Sequence, residues 1–175
     1  MTTTIKDQLA DVRGRIDRLR TREQDGPTHV RARISRHLEV LEQEEASVRA
    51  AVLDAPDELD RKLGQLNTRL DVAEHSLAAD ASDDWSTFAA AVEAELRSWD
   101  TYLERLQTSV AENAWKARAR AEAAIGDVRS RRIEVDERLA HARDGGVATG
   151  SARQRVTAAR DKLEQKADEL SAKLT

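Results

Sequence analysis

The stretch LDRKLGQLNTRLDVAEHSL, residues 59–77, decides the fold of this chain. Its larger apolar residues recur at steps of four and three, which places them on one side of an α-helix. So narrow a stripe is typical of the seam between packed helices. The stripe consists of Leu59, Leu63, Leu66, Leu70, Ala73 and Leu77.

Similar spacing runs through the rest of the 175 residues, and no segment has the period of two that indicates a strand. We therefore predict an all-α fold: an elongated antiparallel coiled coil or helical bundle of four to five helices. The predicted helices span residues 4–53 (either continuous or broken near 26), 57–80, 83–144 and 151–174. At 1.5 Å per residue, the helix over 83–144 would be about 90 Å long.

Two packings fit these boundaries. A single reversal at 54–56 would pair residues 4–53 with 57–106 in one long hairpin, whereas further reversals near 26 and 81 would give a segmented bundle. The five aromatic residues lie between 85 and 115, and large rings need a core thicker than a two-helix seam. We favour one domain over 1–175, with a helical bundle at 1–110 and a helical hairpin at 111–175. The expected core residues are Leu59, Leu63, Leu66, Leu70, Trp85, Phe88, Trp99, Leu103 and Leu106.

The composition excludes several classes of protein. With no cysteine, disulfide frameworks, zinc ribbons and thiol catalysis are ruled out. The longest apolar run, residues 88–92, is far shorter than the ~20 residues of a membrane span. The first residues lack the apolar core of a signal peptide, so the cytoplasm is the expected compartment.

Charge is unevenly distributed along the chain, whose net charge is −4. Residues 1–38 carry +4, residues 39–100 carry −11 and residues 101–175 carry +3. Arginine-rich helix faces in the two basic parts are candidates for contact with an anionic surface, either membrane lipid or nucleic acid. The candidate residues are Arg13, Arg15, Arg18, Arg20, Arg22, Lys116, Arg118, Arg120, Arg129, Arg131 and Arg132.

No motif in the sequence indicates catalysis. The chain lacks Gly-x-Ser-x-Gly and Glu-x-x-His, which mark a serine nucleophile elbow and a di-metal helical bundle. We therefore expect no catalytic residue, no cofactor and no metal. The composition is generically similar to spectrin-like bundles and bacterial coiled-coil proteins, without a specific motif of any family.

The leading hypothesis is a non-enzymatic coiled-coil interaction or scaffold protein that self-associates or binds a protein partner. The alternative is a peripheral binder of an anionic surface through the arginine-rich faces. We do not expect nucleic acid as the main partner, because the net charge is negative and aromatic residues for stacking are lacking there. Membrane association would be peripheral at most, since the N-terminal stripe is narrow and its cations are interrupted by aspartates.

Overall fold

The computed structural model of the chain describes residues 4–111, 115–145 and 150–174. Within these ranges it contains six α-helices and no strand, which confirms the all-α prediction. A short 3-10 helix, Pro56–Glu58, precedes the third α-helix. In chain order the α-helices are α1 (Ile5–Asp25), α2 (Thr28–Asp54), α3 (Leu59–Asp80), α4 (Trp85–Ala111), α5 (Trp115–Asp144) and α6 (Gly150–Leu174).

Local sequence signals set the helix ends. α1 begins at a capping box in which Thr4 Oγ1 accepts from the Asp7 backbone N–H at 3.2 Å and Asp7 Oδ2 accepts from the Thr4 N–H at 3.1 Å. Pro27 separates α1 from α2, because a proline inside a helix loses a backbone hydrogen bond and clashes with the preceding turn. Asp84 caps the start of α4, since its Oδ1 accepts from the Thr87 N–H at 2.9 Å.

The first two helices are antiparallel, so the chain reverses at Gly26 and Pro27. An ion pair joins Arg20 to Glu42 at 2.7 Å, and another joins Arg13 to Glu45 at 3.1 Å. The segmented bundle is therefore the packing adopted, and the single long hairpin is not. α3 packs against α2 and α4, and α5 packs against α4 and α6.

The single helix predicted over 83–144 is not confirmed. The described residues contain two helices there, α4 and α5, which lie side by side and antiparallel. Arg132 Nη2 is 2.8 Å from Asp100 Oδ2, and Arg143 forms an ion pair with Glu93, so the chain reverses between the two helices. The longest helix, α5, has 30 residues and is about 45 Å long at 1.5 Å per residue. The part of the chain that the structure describes therefore lacks the helix of about 90 Å that was predicted. Coiled-coil packing stays a prediction.

Two apolar clusters fill the interior. The first core joins α1, α2 and the leucine stripe of α3, and the second core joins α4, α5 and α6. α3 serves both, because Val72 and Ala79 on its other face pack into the second core. α4 shares the second core with α5 and α6. The division into a bundle at 1–110 and a hairpin at 111–175 stays a prediction.

The predicted core residues lie inside, in one core or the other. Every one is buried except Trp85, which is partly buried and packs against the second core. Its ring centroid is 5.6 Å from that of Phe88. Leu59, Leu63, Leu66 and Leu70 belong to the first core, and the aromatic residues belong to the second.

Candidate functional site

Charged side chains, rather than apolar ones, fill the space where α2, α3, α4 and α6 meet between the two cores. Arg69 and Arg160 are fully buried, and Arg33, Glu95 and Glu164 are nearly so. We call this set the polar seam. It comprises Arg33, His37, Glu44, Arg69, Ser76, Asp80, Glu95, Tyr102, Arg160, Glu164 and Asp168.

Asp80, at the end of α3, holds two arginines from different helices. Its Oδ2 forms an ion pair with Arg33 Nε at 2.8 Å, and its Oδ1 accepts from Arg160 Nη1 at 2.9 Å. Arg160 Nε also donates to Glu95 Oε2 at 2.7 Å, and its Nη2 donates to the Ser76 carbonyl at 3.1 Å. Arg160 therefore bridges α3, α4 and α6 with one planar guanidinium group.

Glu164 of α6 is the central anion of the polar seam. Its Oε1 accepts from Arg33 Nη1 at 2.8 Å and from Ser76 Oγ at 3.0 Å, and His37 Nε2 lies 3.6 Å away. Burial by itself would raise the pKa of this carboxyl, but His37, Arg33 and Arg160 outweigh burial and hold the pKa well below its ordinary value. Glu164 is thus a buried carboxylate that its cationic neighbours keep ionised.

Arg69 crosses the seam between an aromatic ring and a carboxylate. Its Nη2 lies 2.5 Å from Asp168 Oδ1, and its guanidinium carbon lies 4.5 Å from the centroid of the Trp99 ring. The negative face of an indole attracts a cation, and more strongly when both are removed from water. Trp99 is therefore more than core filling, since it also stabilises a buried arginine.

The seam ends at Glu44 of α2. Glu44 Oε1 accepts from the Tyr102 hydroxyl at 2.8 Å, and the same hydroxyl is 3.1 Å from Ser171 Oγ of α6. Burial raises the pKa of Glu44, and Arg69 and the Tyr102 hydroxyl oppose this only in part. Burial, followed by Glu44, raises the pKa of Tyr102 well above its ordinary value, so Tyr102 is a hydrogen-bond donor here.

Two clefts lie at opposite ends of the seam. The end groove, of about 810 Å³, opens between the α1–α2 turn and the α3–α4 turn, over Val30, Ile34 and Leu77 of the first core. Arg22 and Arg153 are on its rim. The side cleft, of about 330 Å³, opens between α2, α3 and α4, and its lining includes Glu44 and Tyr102.

The end of the first core that lies away from the end groove carries the most exposed large apolar residue among those described. Leu53, near the end of α2, is 82% exposed, and its neighbour Val52 is 42% exposed. We call these two residues the α2 tip. α2 has 27 residues, so the tip and the end groove are separated by most of the length of the bundle.

The N-terminal arginines proposed to contact an anionic surface do not share one face. Arg13 and Arg20 turn towards carboxylates of α2, namely Glu45 and Glu42. Arg15 turns towards α3, where it forms ion pairs with Asp71 at 2.5 Å and Glu74 at 3.0 Å. Two others from this set are exposed: Arg18 and Arg22.

In the second proposed basic set, several members form ion pairs within the chain. Arg118 contacts Glu122 at 2.7 Å, Arg131 contacts Glu134 at 2.9 Å, and Arg132 contacts both Asp100 and Asp136. Arg129 Nη2 donates to Gln107 Oε1 at 2.6 Å, and Arg120 is exposed. The side chain of Lys116 lies outside the described residues. Binding of an anionic surface stays a prediction.

The polar seam was not predicted, although the sequence contains a weak signal for it. Glu95 lies between Val92 and Trp99 at helical spacing, so it interrupts the apolar stripe of α4, and Arg160 likewise lies between Val156 and Leu163 in α6. A charged residue at such a position is a candidate for burial with a partner. The partners themselves are 65 or more positions away in sequence, so spacing along one helix does not identify them.

In the part of the chain that the structure describes, no three His, Asp or Glu side chains are grouped so that they could hold a metal ion. Nor is any helix in those ranges both long enough and apolar enough to cross a membrane. Compared with known proteins, the chain matches no family model, no curated protein and no solved structure.

Proposed function

We propose that this protein is a non-enzymatic helical scaffold that self-associates end to end, with the α2 tip of one copy seated in the end groove of the next. One observation supports this proposal most: an apolar groove lies at one end of the first core, and an exposed leucine lies at the other end. Seating the tip would extend the first core of one copy into the first core of the next.

Internal packing leaves few apolar surfaces for association. The stripes of α1 and α3 that would serve as coiled-coil seams are packed into the first core. Among the described residues, the exposed large apolar side chains are Ile5, Val52, Leu53 and Ile133. Of these, only Val52 and Leu53 are neighbours in sequence, so the α2 tip is the best candidate for an apolar anchor.

The geometry favours an open chain of copies over a closed dimer. Tip and groove are different surfaces at opposite ends, so their contact is heterologous, and repeating it adds copies in one direction. Burying one leucine contributes only about 1.5–3 kcal/mol, and association itself costs about 4–15 kcal/mol, so the other residues that line the groove must contribute as well. We therefore expect weak, concentration-dependent assembly.

Sedimentation velocity over a concentration series tests the proposal with one variant at each end. Leu53→Lys removes the apolar anchor, and Ala78→Arg fills the groove from an exposed position. Both residues lie near helix C-termini, where a cation is favourable, so both variants should fold. The control Ile133→Lys alters an exposed apolar residue, 52% accessible, that belongs to neither surface.

We expect wild type and Ile133→Lys to associate, and each end variant to stay monomeric. An equimolar mixture of the two end variants should then form dimers and nothing larger, because only the tip of Ala78→Arg and the groove of Leu53→Lys remain intact. The proposal fails if wild type is monomeric throughout the series, or if both end variants associate as wild type does.

A further inference from the structure

The side cleft has a polar floor and a cationic mouth. At the floor, Glu44 and Tyr102 are hydrogen-bonded to each other. At the mouth, Arg61 and Lys62 of α3 are partly exposed. The wall between them includes the apolar residues Val40, Leu106 and Val110. The volume of about 330 Å³ falls in the range of small-molecule sites, roughly 300–1,000 Å³.

One oxygen of Glu44 lacks a hydrogen-bond partner at the floor. Oε1 accepts from Tyr102, but Oε2 is buried and has no hydrogen-bond partner among the described residues. A buried acceptor without a partner is costly and uncommon in native proteins. A ligand that places an ammonium group beside Oε2 would satisfy it and supply a counter-charge.

The mouth has cationic charge in excess. Arg61 Nη2 lies 3.0 Å from Glu58 Oε2, and Lys62 Nζ lies 3.6 Å from the same atom, so two cations share one carboxylate. Lys62 Nζ also donates to Ser47 Oγ at 2.9 Å. Ser47 is one helical turn from Glu44 along α2, a rise of about 4.5 Å. The hydrogen bond to Ser47 therefore holds Lys62 about one turn of α2 away from Glu44.

We propose that the side cleft binds a small aliphatic amino acid, with its ammonium group on Glu44 and its carboxylate on Lys62 and Arg61. A zwitterion carries both charges that such a site requires: a cation for Glu44 and an anion for the cationic mouth. An aliphatic side chain would lie against Val40, Leu106 and Val110. This site is separate from the tip and the end groove, so it does not depend on self-association.

Electrostatics at the floor support the same assignment. The charged and titratable groups that face Glu44 are Arg69 from α3, Tyr102 from α4 and Asp168 from α6. Burial raises the pKa of Glu44 despite Arg69 and Tyr102. A ligand ammonium favours the ionised carboxylate, so binding should strengthen as pH rises through the pKa of Glu44.

Leucine titrations followed by NMR test the proposal. Resonances of Val40, Leu106 and Val110 should shift at leucine concentrations up to about 10 mM. N-acetylleucine, which lacks the ammonium group, and leucinamide, which lacks the carboxylate, should each bind at least about 10-fold more weakly. Equal binding of leucine and N-acetylleucine would overturn the assignment of Glu44, and the absence of any leucine-induced shift would overturn the site itself.

Matched variants separate a binding role from a structural one. Glu44→Gln keeps the side-chain shape and an acceptor for Tyr102, and should weaken leucine binding about 10- to 100-fold. Glu39→Gln, at an exposed position on the same helix, should bind like wild type. Lys62→Met provides a second variant at the mouth and should also weaken binding, while thermal unfolding shows that each variant is folded. Unchanged affinity in both Glu44→Gln and Lys62→Met would contradict the proposal.

Discussion

Arg160 and Glu95 form an ion pair from which water is excluded: Nε lies 2.7 Å from Oε2, and the two side chains are 0% and 1% exposed. The pair lies in the polar seam between the two cores, so a charged contact joins α6 to α4 where an apolar one would be expected. Removing two charges from water costs several kcal/mol per ion, which close pairing and further hydrogen bonds offset.

Removing Arg160 should therefore destabilise the protein strongly. Arg160→Met removes the ion-pair partner of Glu95 and one of the two guanidinium groups on Asp80. We expect a loss of about 3–5 kcal/mol in the free energy of unfolding, measured by urea denaturation. Arg138→Met, which breaks an exposed pair with Glu134 at 2.8 Å, should cost less than about 1 kcal/mol.

A double-mutant cycle distinguishes lost pairing from lost packing. If pairing with Glu95 is the main effect, Glu95→Gln and Arg160→Met together should cost clearly less than the sum of the two single changes. Strict additivity would mean that the two residues act independently, and it would contradict a direct interaction between them.

The leucine stripe of α3 gives a second prediction. Leu66 is fully buried in the first core, whereas Arg129 is exposed and donates to Gln107. Leu66→Ala should lower the free energy of unfolding by on the order of 2–4 kcal/mol, because it removes buried methyl groups and leaves a cavity. Arg129→Ala should cost under about 0.5 kcal/mol. Equal losses in the two denaturation curves would contradict the assignment of the core face.

Glu44 should make stability depend on pH. Its pKa is raised by burial in the folded state, so the folded protein holds a proton that the unfolded chain releases from about pH 4.5, the ordinary glutamate value. Stability from this group is therefore present below about pH 4.5 and is lost as pH rises towards the folded pKa. Glu44→Gln removes that loss, so its free energy of unfolding relative to wild type should be higher at pH 7 than at pH 4. An unchanged or reversed difference would show that Glu44 is not a buried acid.

Glu164 should have the opposite effect. Against the effect of burial, His37, Arg33 and Arg160 hold the pKa of Glu164 low in the folded state. Glu164 therefore contributes stability above about pH 4.5, the ordinary glutamate value. This contribution is lost as pH falls below that value. Glu164→Gln should be less stable than wild type at pH 7, and the difference should narrow in acid. Denaturation at pH 7 and pH 3 measures both values, and a constant difference would contradict the ionised assignment.

The features that depend on local periodicity, namely the helices and their buried faces, could be predicted from the sequence. Residues such as Leu66 and Leu103 follow helical spacing, and burial of such a stripe is enough to place them inside. The sequence did not predict which helices would share a core. It has no proline or glycine at 111–116, so helix propensity there favours one continuous helix, whereas α4 and α5 are two antiparallel helices.

The polar seam was harder to predict for a different reason. Arg69 and Ser76 lie beside the leucine stripe of α3, roughly a quarter turn around the helix from it, and polar residues outside such a stripe normally indicate solvent exposure. They are buried because α4 and α6 bring Trp99, Asp168 and Glu164 to that face. Such long-range pairing depends on the fold as a whole, so one sequence does not indicate it.

Disulfide trapping tests end-to-end assembly most directly, because the chain has no cysteine of its own. Leu53→Cys combined with Ala78→Cys places one thiol on the α2 tip and one in the end groove. Within one copy these positions are about 25 Å or more apart along the bundle axis, well beyond the roughly 7 Å between Cα atoms that a disulfide tolerates. We predict that mild oxidation at high protein concentration gives a ladder of linked oligomers on a non-reducing gel, and that Ile133→Cys with Ala78→Cys does not. Monomer alone, or the same ladder from the control pair, would contradict the account.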